Sequence, residues 1–179
     1  MREIVGSIEA EYRRYKLLAE RAMEQVDDEN LSRMSGPAGN SIATLVWHVS
    51  GNLASRFTDF LRTDGEKPWR DRESEFTRRT VSRAELSEKW ETGWAILFHS
   101  LSELEDDHLR LVVTIRGLPL PVIEALHRSL AHASYHVGQL VFLARELRGV
   151  QWRYLSIPPG GSEAYNDNPV AEEPPGPPL

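Results

Sequence analysis

Four runs of apolar residues recur at three- and four-residue spacing, and this periodicity constrains the fold more than any other feature of the chain. Ile8, Tyr12, Tyr15, Ala19, Ala22 and Val26 form the first stripe; Ile42, Leu45, Val46, Val49, Leu53, Phe57 and Phe60 form the second. Leu86, Trp90, Trp94, Leu97, Leu101 and Leu104 make the third, and Val122, Leu126, Leu130, Ala133, Val137, Leu140, Ala144 and Leu147 the fourth. Each predicts a helix of about 20–28 residues, roughly 30–40 Å long. None can bury its apolar face alone, so the expected fold is all-α, a four-helix bundle. Trp47, Trp90 and Trp94 read as core or interface residues.

Local signals punctuate the stripes. Ser35-Gly36-Pro37 breaks the chain before a cap at Asn40 or Ser41, and Ser82 and Glu85 have the spacing of a capping box. The fourth helix is expected to open near Pro119 to Pro121 and to end at Gly149. Leu111 to Ile115 is locally strand-like. The connection from Thr63 to Val81, between helices two and three, is long for a bundle and suggests a crossover or a functional lid.

The bundle is expected to occupy residues 1–157, followed by a Pro-rich acidic tail over residues 158–179. Seven of the eleven prolines lie in that tail, with Glu163, Asp167, Glu172 and Glu173 and no Lys or Arg. Residues 167–179 are expected to be extended or disordered, a solvated terminus. Ser156 to Asn166 still carries apolar anchors that would let it fold back on the body.

With 21 basic and 27 acidic residues the 179-residue chain has a net charge of −6, which gives no basic excess for a nucleic-acid partner. There is no cysteine, hence no disulfide, no thiolate metal ligand and no cysteine nucleophile of its own. The start lacks the apolar core of a signal peptide. Gly36 to Ser55, within the longest stretch free of charged residues, is too polar to span a bilayer. The expectation is a cytoplasmic protein with no membrane partner.

Of six histidines, His132 and His136 stand four apart on the fourth helix, neighbours on one shoulder of its apolar stripe. Two imidazoles so spaced can reach one ion at about 2.0–2.1 Å. Alone the pair is a weak signal, since buried neutral histidines can instead be satisfied by hydrogen bonds. His48 sits comparably on the second helix, and shoulders of neighbouring helices can converge on one point. His99, His108 and His127 read as ordinary. Asn52 and Gln139 are spaced to orient a ligand, or else to cap or face solvent. Tyr135 projects away from the pair and reads as packing. No general base stands out; Glu124 lies on a different face from His132.

The stretch Asn40-Ser41-Ile42-Ala43-Thr44-Leu45-Val46-Trp47-His48, taken with His132-Ala133-Ser134-Tyr135-His136-Val137-Gly138-Gln139, resembles the DinB superfamily. Ser50-Gly51-Asn52-Leu53, Asp64 to Arg70 and Ser156-Ile157-Pro158 resemble an uncharacterised branch of it. The resemblance runs from the first helix to about Asn166. It implies a four-helix bundle, often a homodimer, in which His48, His132 and His136 bind a divalent metal ion. Zinc, nickel, cobalt and manganese all suit imidazole ligands. Characterised relatives of this type include transferases and isomerases that use a low-molecular-weight thiol cosubstrate, and proposed metal-dependent hydrolases. The resemblance therefore implies a thiol S-transferase, with a hydrolase or a non-catalytic, metal-stabilised binding or stress-response module as alternatives.

The long connection carries Lys67, Trp69, Arg70 and Arg72. The expectation is a solvated loop with Trp69 tucked into the bundle; the alternative is a loop that holds an anionic thiol.

Overall fold

The four apolar stripes become four long helices in the computed structural model, which describes residues 1–37 and 39–169. They are α1 (Glu3–Met23), α3 (Ile42–Phe57), α5 (Arg83–Ser102) and α6 (Val122–Arg148). Short helices α2 (Asp28–Leu31), α4 (Arg72–Glu75) and α7 (Ser162–Asp167) lie in the connections and after the bundle. The all-α bundle expected from the apolar spacing is the observed architecture. No described helix is long and apolar enough to cross a membrane.

Local chemistry sets the helix ends. Ser41 Oγ accepts the Thr44 N–H at 3.1 Å to cap α3. Ser82 and Glu85 form the predicted reciprocal capping box on α5. Gly149 closes α6 with φ of 56°, a conformation that a β-carbon disfavours. At the start of α1 the cap is supplied from far along the chain. The Asp106 carboxylate accepts the N–H groups of Glu3, Ile4 and Val5 at 2.8, 3.1 and 3.0 Å. The Val5 N–H and its neighbours hold that carboxyl below the usual carboxylate range.

Helix α3 packs on α5, and α1 packs on α6. Between them Tyr12, Trp90 and Trp94 are fully buried, with the Tyr12 ring edge-on to Phe57 and Trp94 at 6.4 and 6.2 Å. The Tyr12 hydroxyl donates to the Leu126 carbonyl at 3.1 Å, so this large ring leaves no unsatisfied donor. Trp47 lies at the core margin under the Arg79 guanidinium, 4.6 Å from its ring centre.

At Gly93 the α3–α5 contact leaves no room for a side chain: a β-carbon would stand 2.6 Å from Ser50 Cα. Backbone cannot yield there as a side-chain tip could. Gly93→Ala is therefore expected to destabilise by roughly 1–3 kcal/mol, outweighing the ~1 kcal/mol that alanine gains in helix propensity. A thermal melt that shows no loss would mean the helices can separate without cost.

The fourth helix opens where expected, at Val122 with Pro121 as its N-cap. The prolines stand before its first turn, in β2 (Leu118–Pro121), paired antiparallel with β1 (Val112–Ile115). The strand-like segment was legible from its β-branched residues, but its partner was hidden by two prolines, which a lone edge strand tolerates. The hairpin turns at Arg116 and Gly117, both at positive φ (56° and 73°), as a twist-matched two-residue turn requires.

The long connection is the expected crossover: Ser50 lies against Gly93 and the Phe57 carbonyl accepts the Ser100 hydroxyl, so α3 and α5 run parallel and the chain between them returns along the bundle. Asp64 accepts the N–H groups of Glu66, Arg116 and Gly117 at 2.7, 2.9 and 2.8 Å, bolting the loop to the hairpin turn. Those bonds, the Glu66 N–H foremost, hold its carboxyl at about 2. After α6, Gln25 exchanges two hydrogen bonds with the Arg153 backbone, and Trp152 and Leu155 pack on the core. Of the tail expected to be extended, residues 170–179 lie outside the described residues.

Candidate metal centre

His48 points inward from the buried face of α3, and His132 and His136 stand one turn apart on α6, so helix packing alone brings all three together. Their ring centres are 4.5–5.1 Å apart. His48 Nε2 and His132 Nε2 are 3.2 Å apart, and one nitrogen from each of the three rings lies within 4.8 Å of the others. Two nitrogens bound tetrahedrally at about 2.0–2.1 Å from one ion would stand about 3.3 Å apart, so the closest pair already has the required spacing.

Hydrogen bonds outside the triad decide which nitrogens are free. Glu75 Oε2 lies 2.8 Å from His48 Nδ1. A carboxylate only accepts, so Nδ1 carries the proton and Nε2 keeps its lone pair. Burial opposes ionisation of Glu75, but the bonds from His48 and Arg70 outweigh it and hold the carboxyl below its ordinary range. Arg70 binds Glu75 through two bonds, Nε to Oε1 at 2.8 Å and the terminal nitrogen to Oε2 at 2.9 Å. On the other side, Gln139 Oε1 lies 2.8 Å from His136 Nδ1 while its amide nitrogen donates to the Tyr135 hydroxyl at 3.1 Å. That arrangement leaves His136 Nε2 free as well. Ligating histidines commonly have such carboxylate or amide partners on their second nitrogen.

Burial, aided by neighbouring positive charge, disfavours protonation of the two α6 rings. Burial pushes the His132 pKa down to about 3, helped by the neighbouring His136 and His48 rings and by Arg70 and Arg56. Burial also lowers that of His136. His132 and His136 are thereby held toward the unprotonated imidazole, the form that binds a cation. The donor set, its tautomers and its spacing fit a divalent ion.

The triad lines a cavity of about 320 Å³ whose walls include Asn52, Phe57, Phe60 and Phe76. The Phe76 ring lies 4.7 Å from the His48 ring and shields it. Arg56, Arg70, Arg72, Arg116 and Arg128 also face this cavity, and no Asp or Glu among the described residues does. Glu124 is exposed and outside it, as are His99 and His127. His108 instead accepts the Glu105 N–H at 3.2 Å.

Two expectations are overturned here. Trp69 is not tucked into the bundle but 58% exposed; the loop is anchored by Arg70 on Glu75 and by buried Lys67, whose ammonium donates to the Asp64 carbonyl. Tyr135 is not a packing residue but 63% exposed, and supports Gln139 through a contact between adjacent helical turns.

Glu75 escaped the sequence reading altogether. It sits in the charge-rich run Arg70 to Arg79, where nothing separates it from exposed Glu73. One signal lay elsewhere, at Gly51 on α3: a β-carbon there would be 2.3 Å from Glu75 Oε1, so only glycine leaves room for the carboxylate.

Residues 1–161 match the model of a family described as "Protein of unknown function (DUF1572)". The chain belongs to the DUF1572 family. No curated protein matches it. In this DUF1572 chain the matched span holds the whole centre, His48, Glu75, His132, His136 and Gln139, together with the hairpin and loop that wall the cavity.

Proposed function

We propose that this DUF1572 protein is a divalent-metal-dependent enzyme of the low-molecular-weight-thiol S-transferase type on a DinB-like bundle. The observation that carries the reading is the triad itself: three clustered imidazoles, two with Nδ1 engaged by Glu75 and Gln139, opening onto one small cavity. A bound divalent ion would supply Lewis acidity that keeps a small thiol ionised at neutral pH.

The chain's own residues do the rest. Glu75 and Gln139 hold the Nδ1 protons of His48 and His136 and so fix ring orientation. Phe57, Phe60 and Phe76 exclude water from one side of the cavity, which strengthens electrostatic interactions within it. The absence of cysteine fits a reaction whose sulfur comes from a cosubstrate. Hydrolysis is the weaker reading because no carboxylate among the described residues lines the cavity to serve as a general base, and Glu75 is committed to His48 and Arg70.

The test compares metal-loaded and chelated protein with bacillithiol, mycothiol or glutathione and a small electrophile. Turnover is expected to need both metal and thiol. Turnover with metal but no thiol would overturn the transferase reading in favour of hydrolysis. Chelation that lowers Tm, with no turnover in any assay, would leave a metal-stabilised binding module.

A further inference from the structure

We infer that the cavity beside the triad is an oxyanion-binding site in which Arg116 and Arg128 grip a carboxylate or phosphate group of the small molecule that enters. Five guanidinium groups converge from four separate parts of the chain: Arg56 on α3, Arg70 and Arg72 around α4, Arg116 at the hairpin turn and Arg128 on α6. Surface arginines scattered at random would not share one cavity of about 320 Å³ with no acid among its lining residues.

Their existing partners show which are available. Arg70 is consumed by Glu75. Arg56 and Arg116 share one carboxylate, Glu66, at 3.1 and 3.0 Å, and Arg56 is partly buried and also donates to the Gly65 carbonyl. Arg72 pairs with the exposed Glu73 and stacks 5.0 Å from the Phe76 ring centre. Arg128 makes no ion pair among the described residues and is exposed at the cavity rim. Sharing Glu66 leaves Arg116 with unused donors, and Arg128 has all of its own. Planar guanidinium forks match carboxylate and phosphate oxygens, which accept two bonds at once.

Position ties the anion to the chemistry. Arg128 precedes His132 by four residues on α6, which sets their β-carbons about 5–6 Å apart on one face. An acidic group held at Arg128 therefore keeps the rest of its molecule beside the triad. This deepens the enzyme reading above and rests on it for the role of the cavity, but the anion site itself needs no metal.

The experiment uses the full chain after chelation, titrated calorimetrically with two probes, inorganic phosphate and succinate. Saturable binding of at least one is expected, weakened at least about tenfold in the double variant R116Q/R128Q and unchanged in R62Q, which removes the same kind of exposed charge outside the cavity. Phosphate binding without succinate binding would name a phosphoryl group, and the converse a carboxylate. No saturable binding of either probe up to about 10 mM, or equal binding in R116Q/R128Q, would overturn the proposal. Metal content measured on the same proteins separates the two readings. R116Q/R128Q is expected to keep wild-type metal content, whereas a chain that binds the probes but never a metal would sink the enzyme reading and leave the anion site standing.

Discussion

Purified without a polyhistidine tag, the wild-type chain is expected to carry about one divalent ion, and His48→Ala, His132→Ala and His136→Ala each to lose it. The effect is large because the three rings are the entire donor set among the described residues; no Asp or Glu lines the cavity to replace a lost nitrogen. Removing a ligand should cost more than the ~10–100-fold in affinity that loss of an orienting partner typically costs. Elemental analysis of each variant after reloading is the measurement. A variant that retains a full equivalent would show that its histidine is not a ligand, and a wild type that takes up no zinc, nickel, cobalt or manganese would end the metal reading.

The same triad sets an acid limit on the chelated fold. Burial gives His132 a folded pKa of about 3 against an ordinary value near 6.5, so the unfolded chain takes up a proton that the folded chain refuses. Stability contributed by this ring is fully present above pH about 6.5 and is lost progressively as pH falls toward about 3. Denaturation midpoints of metal-free protein should fall across that window, and less steeply in His132→Ala.

The helices and the triad were legible in the sequence for the same reason: both are periodic. Apolar residues every three or four positions and His132 and His136 four apart are local patterns that a helix converts directly into shared faces. His48 was reachable because it too lies on the shoulder of a stripe. Features that depend on where a loop returns carry no such period. Glu75, Arg70 and Phe76 reach the centre only because Asp64 fastens the preceding loop to the turn of a hairpin some fifty residues later. That bond is tertiary, and an acidic residue in a charged run gives no hint of it. Trp69 misled for the complementary reason. Large aromatics usually anchor loops, yet here a buried ion pair and a buried lysine do so, leaving the ring outside.

Glu75→Gln is the second variant expected to have a large effect, and it acts on both stability and metal affinity. The wild-type carboxylate accepts three hydrogen bonds, one from His48 and two from Arg70, with the Arg70 and Glu75 side chains only 2% and 7% exposed. An amide in that place keeps one accepting oxygen and turns an NH2 toward another donor. The Arg70 charge is then buried without its counterion, a change that typically costs about 3–5 kcal/mol. For a chain of this length that loss lowers Tm on the order of 10 °C. His48 also exchanges its carboxylate partner for an amide whose single accepting oxygen Arg70 contests, so metal affinity should drop about 10–100-fold while the three ligands remain. The double variant E75Q/R70M separates the two consequences. Removing the stranded charge should restore much of the Tm, because buried pairs are often replaceable by apolar groups, but His48 then faces a neutral amide in place of a carboxylate and the affinity should stay below wild type. Recovery of both together would mean that Glu75 only balances Arg70. Low affinity in a thermally restored protein would show that the carboxylate positions a metal ligand.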